Sequence, residues 1–375
     1  MIRVLNIIDT MGSGGVERRR LSIAKLLDKT KFELKIICTN AVGVFPEEFK
    51  KHNVEVIEIG DLKSFLDVKQ HKKVIKVIGD FNPHIIHGAV FEGVTMAAIN
   101  GFYKRVPIII LEETSDPVNR RWKGNLLMKL FCTTANKVIG VSPASTDYLE
   151  NKIKITKNKV VLINNGVVIP DIVSEDVKSK LKEQYAILSD DIVIGSVGRM
   201  SSDAHKRFSD LIKAVAILIN KNNKIKLLLV GDGPEKSSYE KLVNDLNIQN
   251  NVLFAGYQNE IGNYYSIFDI FSLTSAYEAF GLVLAEAMLH KLPVVATNVG
   301  GMKHIVLENE TGYLVEKFNV NEIAEKLEKL AFDKNLRIQL GLNGYHVAMN
   351  KYTEQSYIKN VSDLYELLYF NYKNK

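Results

Sequence analysis

The sequence predicts an α/β protein made of two doubly wound halves, each a parallel sheet covered by helices. Three observations predict it. Short apolar strands alternate with helical stretches along the whole chain, the pattern of parallel strands joined by crossover helices. The strands are runs of Val, Ile and Leu, as strands buried on both faces must be. A chain of 375 residues is too long for one ordinary core, so two domains are the default. An apolar content of 46% and a charged content of 25% fit a globular protein.

In the first half the strands are expected at 2–8, 33–40, 54–60, 84–88, 107–112, 137–142 and 160–164. The opening run is broken by Asn6 and Asp9, which makes it a first strand and not a signal peptide. In the second half strands are expected at 191–197, 225–230, 251–256, 269–274, 293–297 and 312–315. Helical patterns fill the gaps, notably 15–29, 64–79, 122–134, 207–220, 234–246 (with Pro234 at its first position) and 281–290. Pro170 to Asp190 is polar with no strong strand signal, a plausible linker. The amphipathic end, 353–371, is expected to pack back on the first half. The expected division is therefore 1–170, 171–352 and a terminal helix in 353–375.

Several function classes lose support at this level. Cys38 and Cys132 lie in or beside apolar runs without metal-ligand spacing, as reduced core thiols of a cytoplasmic protein would. No His/Cys/Asp cluster has ligand spacing, so no metal is expected. No apolar stretch reaches the roughly 18 residues of a membrane span. The charge is uneven. Residues 1–170 hold 26 Lys and Arg against 17 Asp and Glu, a net +9, and the rest of the chain carries −3. A basic first half suggests an anionic surface or substrate. Two basic amphipathic stretches sharpen this. Residues 63–76 carry Lys63, Lys69, Lys72, Lys73 and Lys76 among Phe65, Leu66, Val68, Val74 and Ile75, and residues 120–131 carry Arg120, Arg121, Lys123 and Lys129 with Trp122, Leu126, Leu127, Met128 and Phe131. Both suit an anionic membrane surface, and both equally suit ordinary half-buried helices.

Parallel sheets bind ligands outside the carboxyl ends of their strands, so functional residues are sought there. The most informative stretch is 275–286, Ser-Ala-Tyr-Glu-Ala-Phe-Gly-Leu-Val-Leu-Ala-Glu. Glu278 falls in a strand-to-helix loop, and Glu286 lies about one and a half turns into the helix at 3.6 residues per turn. Between them the first helical N–H groups, around Phe280, Gly281 and Leu282, suit a phosphate. Two carboxylates flanking a phosphate site describe a ligand with a diphosphate in the middle and hydroxyls at both ends, a sugar nucleotide. Glutamates in such places also serve as caps and dipole partners. Gly198 and Arg199 follow the first strand of the second half, and His205-Lys206-Arg207 stands before a helix. Arg199 supplies a forked donor and Lys206 a point charge, both suited to a diphosphate, although basic loop residues are often only solvated. Gly231-Asp-Gly-Pro234 and Asn298-Val-Gly-Gly301 end two further strands as turns.

In the first half, Gly12-Ser-Gly14-Gly15 opens a helix after the first strand. It suits close approach to a phosphate or merely a tight turn. Glu17 stands where a dinucleotide fingerprint wants a small residue, which counts against NAD. His87 ends one strand, and Glu112 and Glu113 end another. Any of the three could meet an acceptor hydroxyl, and a strand-end His is also a common structural hydrogen-bonder.

Together these residues resemble the retaining glycosyltransferases of family four, which have the GT-B fold. The resemblance covers nearly the whole chain and is most specific over 251–315, from Asn-Val-Leu-Phe-Ala-Gly through Glu-Ala-Phe-Gly-Leu-Val-Leu-Ala-Glu-Ala-Met to Leu-Pro-Val-Val-Ala-Thr-Asn-Val-Gly-Gly and Thr-Gly-Tyr-Leu-Val. It implies two Rossmann-like domains facing across a cleft, the first binding the acceptor and the second the nucleotide-sugar. By resemblance Glu278 contacts the donor sugar and Glu286 the ribose hydroxyls, Arg199 and Lys206 grip the diphosphate, Gly14 and Gly15 lie near the phosphates, and Asn165-Gly166 is the turn at the domain end. Three positions depart from the family pattern. Arg207 replaces a usual Gly, His304 stands where many members have Glu, and Glu112-Glu113 stands where many have an active-site His.

The resemblance implies sugar transfer from a nucleotide diphosphate-sugar, a UDP-sugar ahead of a GDP-sugar, with retention at the anomeric carbon and no metal. The expected acceptor is a saccharide or lipid-linked saccharide of a surface polysaccharide, reached at the cytoplasmic face of the membrane. A sugar-nucleotide epimerase would use the same fold. A non-catalytic nucleic-acid-binding protein would use the basic half, but Glu278, Glu286, Arg199 and Lys206 argue against it, as does the lack of the aromatic interleaving of single-strand binders.

Overall fold

The computed structural model describes residues 1–12, 14–115 and 120–374. Ser13, within the glycine loop, lies outside the described residues. The chain divides into two compact units, Met1–Gly166 with Glu354–Lys375, and Val167–Thr353.

The first unit contains a seven-stranded parallel sheet of β1 (Ile2–Ile7), β2 (Phe32–Cys38), β3 (Glu55–Glu58), β4 (Ile85–Ala89), β5 (Ile108–Glu113), β6 (Lys137–Gly140) and β7 (Val160–Leu162), in the order β3-β2-β1-β4-β5-β6-β7. The second contains six parallel strands, β8 (Ile192–Val197), β9 (Ile225–Val230), β10 (Val252–Gly256), β11 (Ile270–Leu273), β12 (Val294–Thr297) and β13 (Gly312–Val315), in the order β10-β9-β8-β11-β12-β13. Every stretch expected to be a strand holds one of these. Both sheets are doubly wound, and the strand order reverses between β1 and β4 and between β8 and β11. A crevice opens at such a reversal because the flanking loops run to opposite faces, so this is where ligands bind.

Helices cover both faces of the first sheet. On one face Val74, Ile78, Met96, Met128 and Phe131 pack on Leu5, Ile86 and Leu111. On the other, Ile23 of helix Gly15–Leu26 and Tyr357, Val361, Leu364 and Tyr365 of helix Glu354–Lys373 pack on Val4, Ile85 and Ile110. The chain thus ends by completing the core of the unit in which it began. In the second unit Phe208, Leu211 and Val215 of helix Phe208–Lys221 join Ile194, Leu227 and Leu229 in one core.

Local chemistry moves some boundaries. The helix expected from 64 begins at Val68, because Asp67 caps it by accepting from the Gln70 amide at 3.3 Å. The helix Val90–Tyr103 has no clear amphipathic period in the sequence, since Gly93, Val94, Thr95, Met96, Ala97 and Ala98 are all buried. The polar stretch expected to be a linker holds a helix, Glu175–Gln184, whose N-cap Ser174 accepts from the Val177 amide. No residue of that helix is buried, which is why its sequence pattern is weak. Among the described residues no helix is long and apolar enough to cross a membrane.

Candidate active site

In the second unit Arg199, Lys206 and Glu278 lie around the β8/β11 reversal. Gly198 and Arg199 leave β8, and the short helix Asp203–Lys206 follows. Asp203 organises this loop. Its carboxylate accepts from the Ser209 amide at 3.1 Å, the Tyr239 hydroxyl at 3.1 Å and the Arg207 guanidinium at 3.2 Å. The loop is also tied to the end of β11, since the Ala276 amide donates to His205 O at 2.8 Å and the Thr274 hydroxyl to Arg207 O at 3.0 Å. These ties carry Lys206 to Glu278, with Nζ 2.8 Å from Oε2 and side-chain exposures of 16% and 20%. Arg199 is exposed at the same strand end.

Gly281 turns the chain from this loop into helix Leu282–Leu289 at φ +101°, a left-handed value that favours glycine. A Cβ there would stand 3.6 Å from Glu278 Cγ, so the helix begins beside that side chain. Leu284 is the first amide to close back on Gly281 O, at 2.9 Å. The amides before it belong to the helix start that points its dipole toward the loop. Phe280 is buried with its ring edge-on to Tyr352 at 5.5 Å, which leaves its backbone, not its side chain, for a ligand. Leu282 is half-buried. Glu286 leans back along the helix, as helical side chains do. Its Oε2 accepts from the Tyr265 hydroxyl at 2.9 Å, and that hydroxyl also lies 3.3 Å from Val283 O.

Two departures from the family pattern acquire physical content. Arg207 has φ +55°, which explains a usual glycine. Here the guanidinium is held by Asp210 at 2.7 Å and Asp203, and lies 5.0 Å from the Phe318 ring. Gly231 (φ +137°) sits so close to β8 that a Cβ would fall 2.0 Å from Gly198 O, so its turn is a requirement of packing at the site. His304, on the short helix Met302–Ile305, accepts through its backbone oxygen from the Tyr352 hydroxyl at 3.2 Å.

The first unit corrects the acceptor-side expectations. His87 and Glu112 are not at a surface. They lie within the core at 0% and 3% side-chain exposure, beside Arg20 at 0%. His87 Nε2 is 2.9 Å from Glu112 Oε2, its Nδ1 is 2.7 Å from the Tyr365 hydroxyl, and Arg20 donates to Glu112. Burial and then the Arg20 charge push the His87 pKa down to about 4, against the pull of Glu112. Burial opposes ionisation of Glu112, but Arg20 and then His87 overcome it and bring its pKa down to about 2. Both shifts keep His87 neutral and Glu112 charged near neutral pH. Glu113 is buried too. It accepts from the Ser115 hydroxyl at 2.7 Å and amide at 3.1 Å and from Arg120 at 3.0 Å; residues 116–119 lie outside the described residues.

At the β1 end, Gly15 opens helix Gly15–Leu26, and Gly14 is its N-cap. Glu17 turns back on this loop and accepts from the Gly12 amide at 3.3 Å. A phosphate approaching Gly14 and Gly15 would meet that carboxylate. Sequence reasoning missed Arg20, Tyr365, Tyr265 and Asp203. Their partners are 92, 278, 21 and up to 36 residues away, and no local spacing signals such pairs. Among the described residues no group of three or more His, Cys, Asp or Glu side chains could hold a metal ion.

The fold is that of two Rossmann-like units, each with a strand-order reversal of the kind at which ligands bind. The family models agree. "Glycosyl transferases group 1" matches residues 177–347 and "Glycosyltransferase Family 4" matches residues 13–169. The chain belongs to the family-four type of GT-B glycosyltransferases. It is 27% identical over 334 residues to the capsular polysaccharide biosynthesis glycosyltransferase CapM of Staphylococcus aureus, covering 85% of this chain and 87% of the relative. It is 26% identical over 345 residues to the N-acetylgalactosamine-N,N'-diacetylbacillosaminyl-diphospho-undecaprenol 4-alpha-N-acetylgalactosaminyltransferase of Campylobacter jejuni, covering 88% and 90%. Among solved structures, Anabaena HepE in complex with UDP-glucose superposes with a TM-score of 0.86 at 21% identity, over 97% of this chain and 99% of that one, a likeness of fold.

Proposed function

We propose that this glycosyltransferase moves a sugar from a nucleotide diphosphate-sugar, a UDP-sugar ahead of a GDP-sugar, to a hydroxyl of a saccharide or lipid-linked saccharide with retention of configuration. The observation that carries the proposal is the Lys206–Glu278 contact of 2.8 Å beside the helix start at Gly281. A diphosphate there shares Lys206 with Glu278, gains charge-assisted bonds from Lys206 and Arg199, and lies at the positive end of the helix dipole. Glu278 is then on the sugar side and Glu286 on the ribose side. The anomeric carbon–oxygen bond to the diphosphate breaks as the acceptor oxygen bonds the same face of that carbon, and the acceptor proton passes to a departing phosphate oxygen. Lys206, Arg199 and the helix start stabilise the charge that develops on the leaving group.

The names of the relatives, which act in capsule synthesis and on a diphospho-undecaprenol-linked sugar, support a surface-polysaccharide acceptor. The helix Trp122–Thr134 supports a membrane-facing first unit. Met128 and Phe131 face the core, contrary to a place on a membrane face, Cys132 is buried beside them, and Arg120 is engaged with Glu113. Trp122, Leu126 and Leu130, at four-residue spacing, stand 60–70% exposed beside exposed Arg121, Lys123 and Lys129. An outward apolar stripe rimmed by cations fits an anionic lipid surface.

A thermal-shift screen of UDP-, GDP- and ADP-sugars identifies the donor, since a bound ligand raises apparent stability. Product analysis with and without acceptor then tests the reaction. The expected product has the donor's anomeric configuration. Inversion would remove the proposed course, and conversion of the donor without acceptor would indicate an epimerase. Sedimentation with anionic vesicles at low salt tests the stripe, with binding expected for the natural protein and lost in Trp122→Ser/Leu126→Ser. A protein that ignores the vesicles excludes the membrane role.

A further inference from the structure

We infer that Arg207 is a positioning residue for Lys206. Its guanidinium, held by three neighbours, keeps the chain in a left-handed turn that sets Lys206 against Glu278 before a donor binds. The inference rests on the proposal that Lys206 meets the diphosphate.

Lys206 closes the one-turn helix Asp203–Lys206, and Phe208 opens helix Phe208–Lys221. Arg207 joins the two at φ +55° and ψ +36°. A single turn has too few internal bonds to fix its own end, so the place of Lys206 depends on this joint. A left-handed backbone is costly for a residue with a Cβ and persists only where its surroundings hold it. Here the side chain supplies the hold. Asp210, 3% exposed, takes Arg207 Nε at 2.8 Å on one oxygen and Nη2 at 2.7 Å on the other, a forked pair. Asp203 takes Nη1 at 3.2 Å, and the Phe318 ring lies 5.0 Å from the guanidinium carbon. Phe318 is itself left-handed at φ +69°, so two strained residues from distant loops meet ring to cation. The Arg207 amide donates to Asp203 O at 3.1 Å, and Arg207 O accepts from the Thr274 hydroxyl at 3.0 Å.

By resemblance a glycine usually stands at this position, and glycine reaches the left-handed region without steric cost. The clamped arginine reaches the same turn by another route, since its forked pair with Asp210 opposes relaxation. A side chain that keeps the Cβ and lacks the clamp lets the turn relax toward negative φ and carries Lys206 away from Glu278. A donor would then have to rebuild the loop as it binds, and that ordering weakens binding. The Arg207 charge is already neutralised by two carboxylates, so its effect on a diphosphate runs through the backbone. Charge and backbone are separable, because a glycine restores the turn and leaves out the charge.

The test measures UDP and GDP binding by titration calorimetry on the natural protein, Arg207→Ala, Arg207→Gly and Lys206→Ala. Amide exchange over residues 203–209 is read on the ligand-free forms. Arg207→Ala keeps the strain and loses the clamp. It should weaken the nucleotide that the natural protein prefers by about fivefold or more, the cost of a left-handed turn to a residue with a Cβ. It should also speed exchange across the loop and raise KM for the donor with kcat nearly unchanged. Arg207→Gly should bind within about twofold of the natural protein. Thermal melts of each variant separate these losses from unfolding. If the glycine variant binds as weakly as the alanine variant, the charge and not the turn matters, and the positioning role is wrong. It is equally wrong if Arg207→Ala binds like the natural protein, and in both cases the role of Lys206 stands. If Lys206→Ala binds as tightly as the natural protein, or the natural protein binds neither nucleotide, the diphosphate role of Lys206 fails and the inference fails with it.

Discussion

Each unit sets a basic side chain against a glutamate at the carboxyl end of a parallel strand, and the two pairs have opposite surroundings. Arg20 and Glu112 are sealed in the core with 0% and 3% of their side chains exposed, whereas Lys206 and Glu278 keep 16% and 20%. A sealed pair has no route to a ligand, and breaking it strands a charge in a low-dielectric interior. A half-open pair adds little to stability, but a ligand can enter and exchange partners with it. Burial, not residue type, separates the two roles.

The largest expected effect is on the sealed pair. Arg20→Met should destabilise the fold by about 3–5 kcal/mol, because Glu112 is left as a buried charge without its cation. Adding Glu112→Gln should recover part of that loss in urea denaturation. A single mutant within about 1 kcal/mol of the natural protein would erase the contrast. Next come Lys206→Ala and Glu278→Ala. Each should lower kcat/KM by about 100-fold or more, as loss of one charge-stabilising contact does. Each should shift stability by less than about 1 kcal/mol. A stability loss as large as that of Arg20→Met would assign this pair a structural role as well.

The pH dependence sharpens the comparison. His87 is held neutral in the fold with its pKa lowered from 6.5 to about 4, so the unfolded chain takes up the proton first and stability falls as pH drops through that window. Glu112 is lowered from 4.5 to about 2, so its contribution is present above about pH 4.5 and drains as pH falls toward 2. His87→Gln should flatten the stability profile between about pH 6.5 and 4, read from urea midpoints across that range. An unchanged profile would mean that another group carries the slope. The smallest effect concerns Arg207. Arg207→Gly trades its ion pairs for relief of the left-handed backbone, so its melting temperature should stay close to that of the natural protein. Arg207→Ala loses the pairs and keeps the strain, and should be less stable than the glycine variant by about 1 kcal/mol. The reverse order would show that the φ of +55° costs nothing.

Much of the fold was legible because parallel strands announce themselves locally. Runs such as Ile225 to Val230 are apolar throughout, since both faces of the sheet are covered. Helix Val90–Tyr103 was not legible for the converse reason. Burial on most sides erases the amphipathic period. At the site, Glu278, Gly281 and Glu286 were legible because one loop and one helix turn bring them together within a few residues. Lys206 was legible as a basic loop residue, but its meeting with Glu278, 72 positions away, was not.

The sequence by itself determined the two parallel sheets, the strand ends at which ligands are to be sought, and the spacing of Glu278 and Glu286 around a helix start. These follow from side-chain periodicity and turn chemistry, which act over a few residues. Only the tertiary structure decided that His87 and Glu112 are sealed beneath Arg20 and Tyr365, that Lys206 reaches Glu278, and that Tyr265 holds Glu286. Those outcomes depend on which distant segments cover a side chain. Residue type alone does not distinguish a carboxylate in water from one in the core.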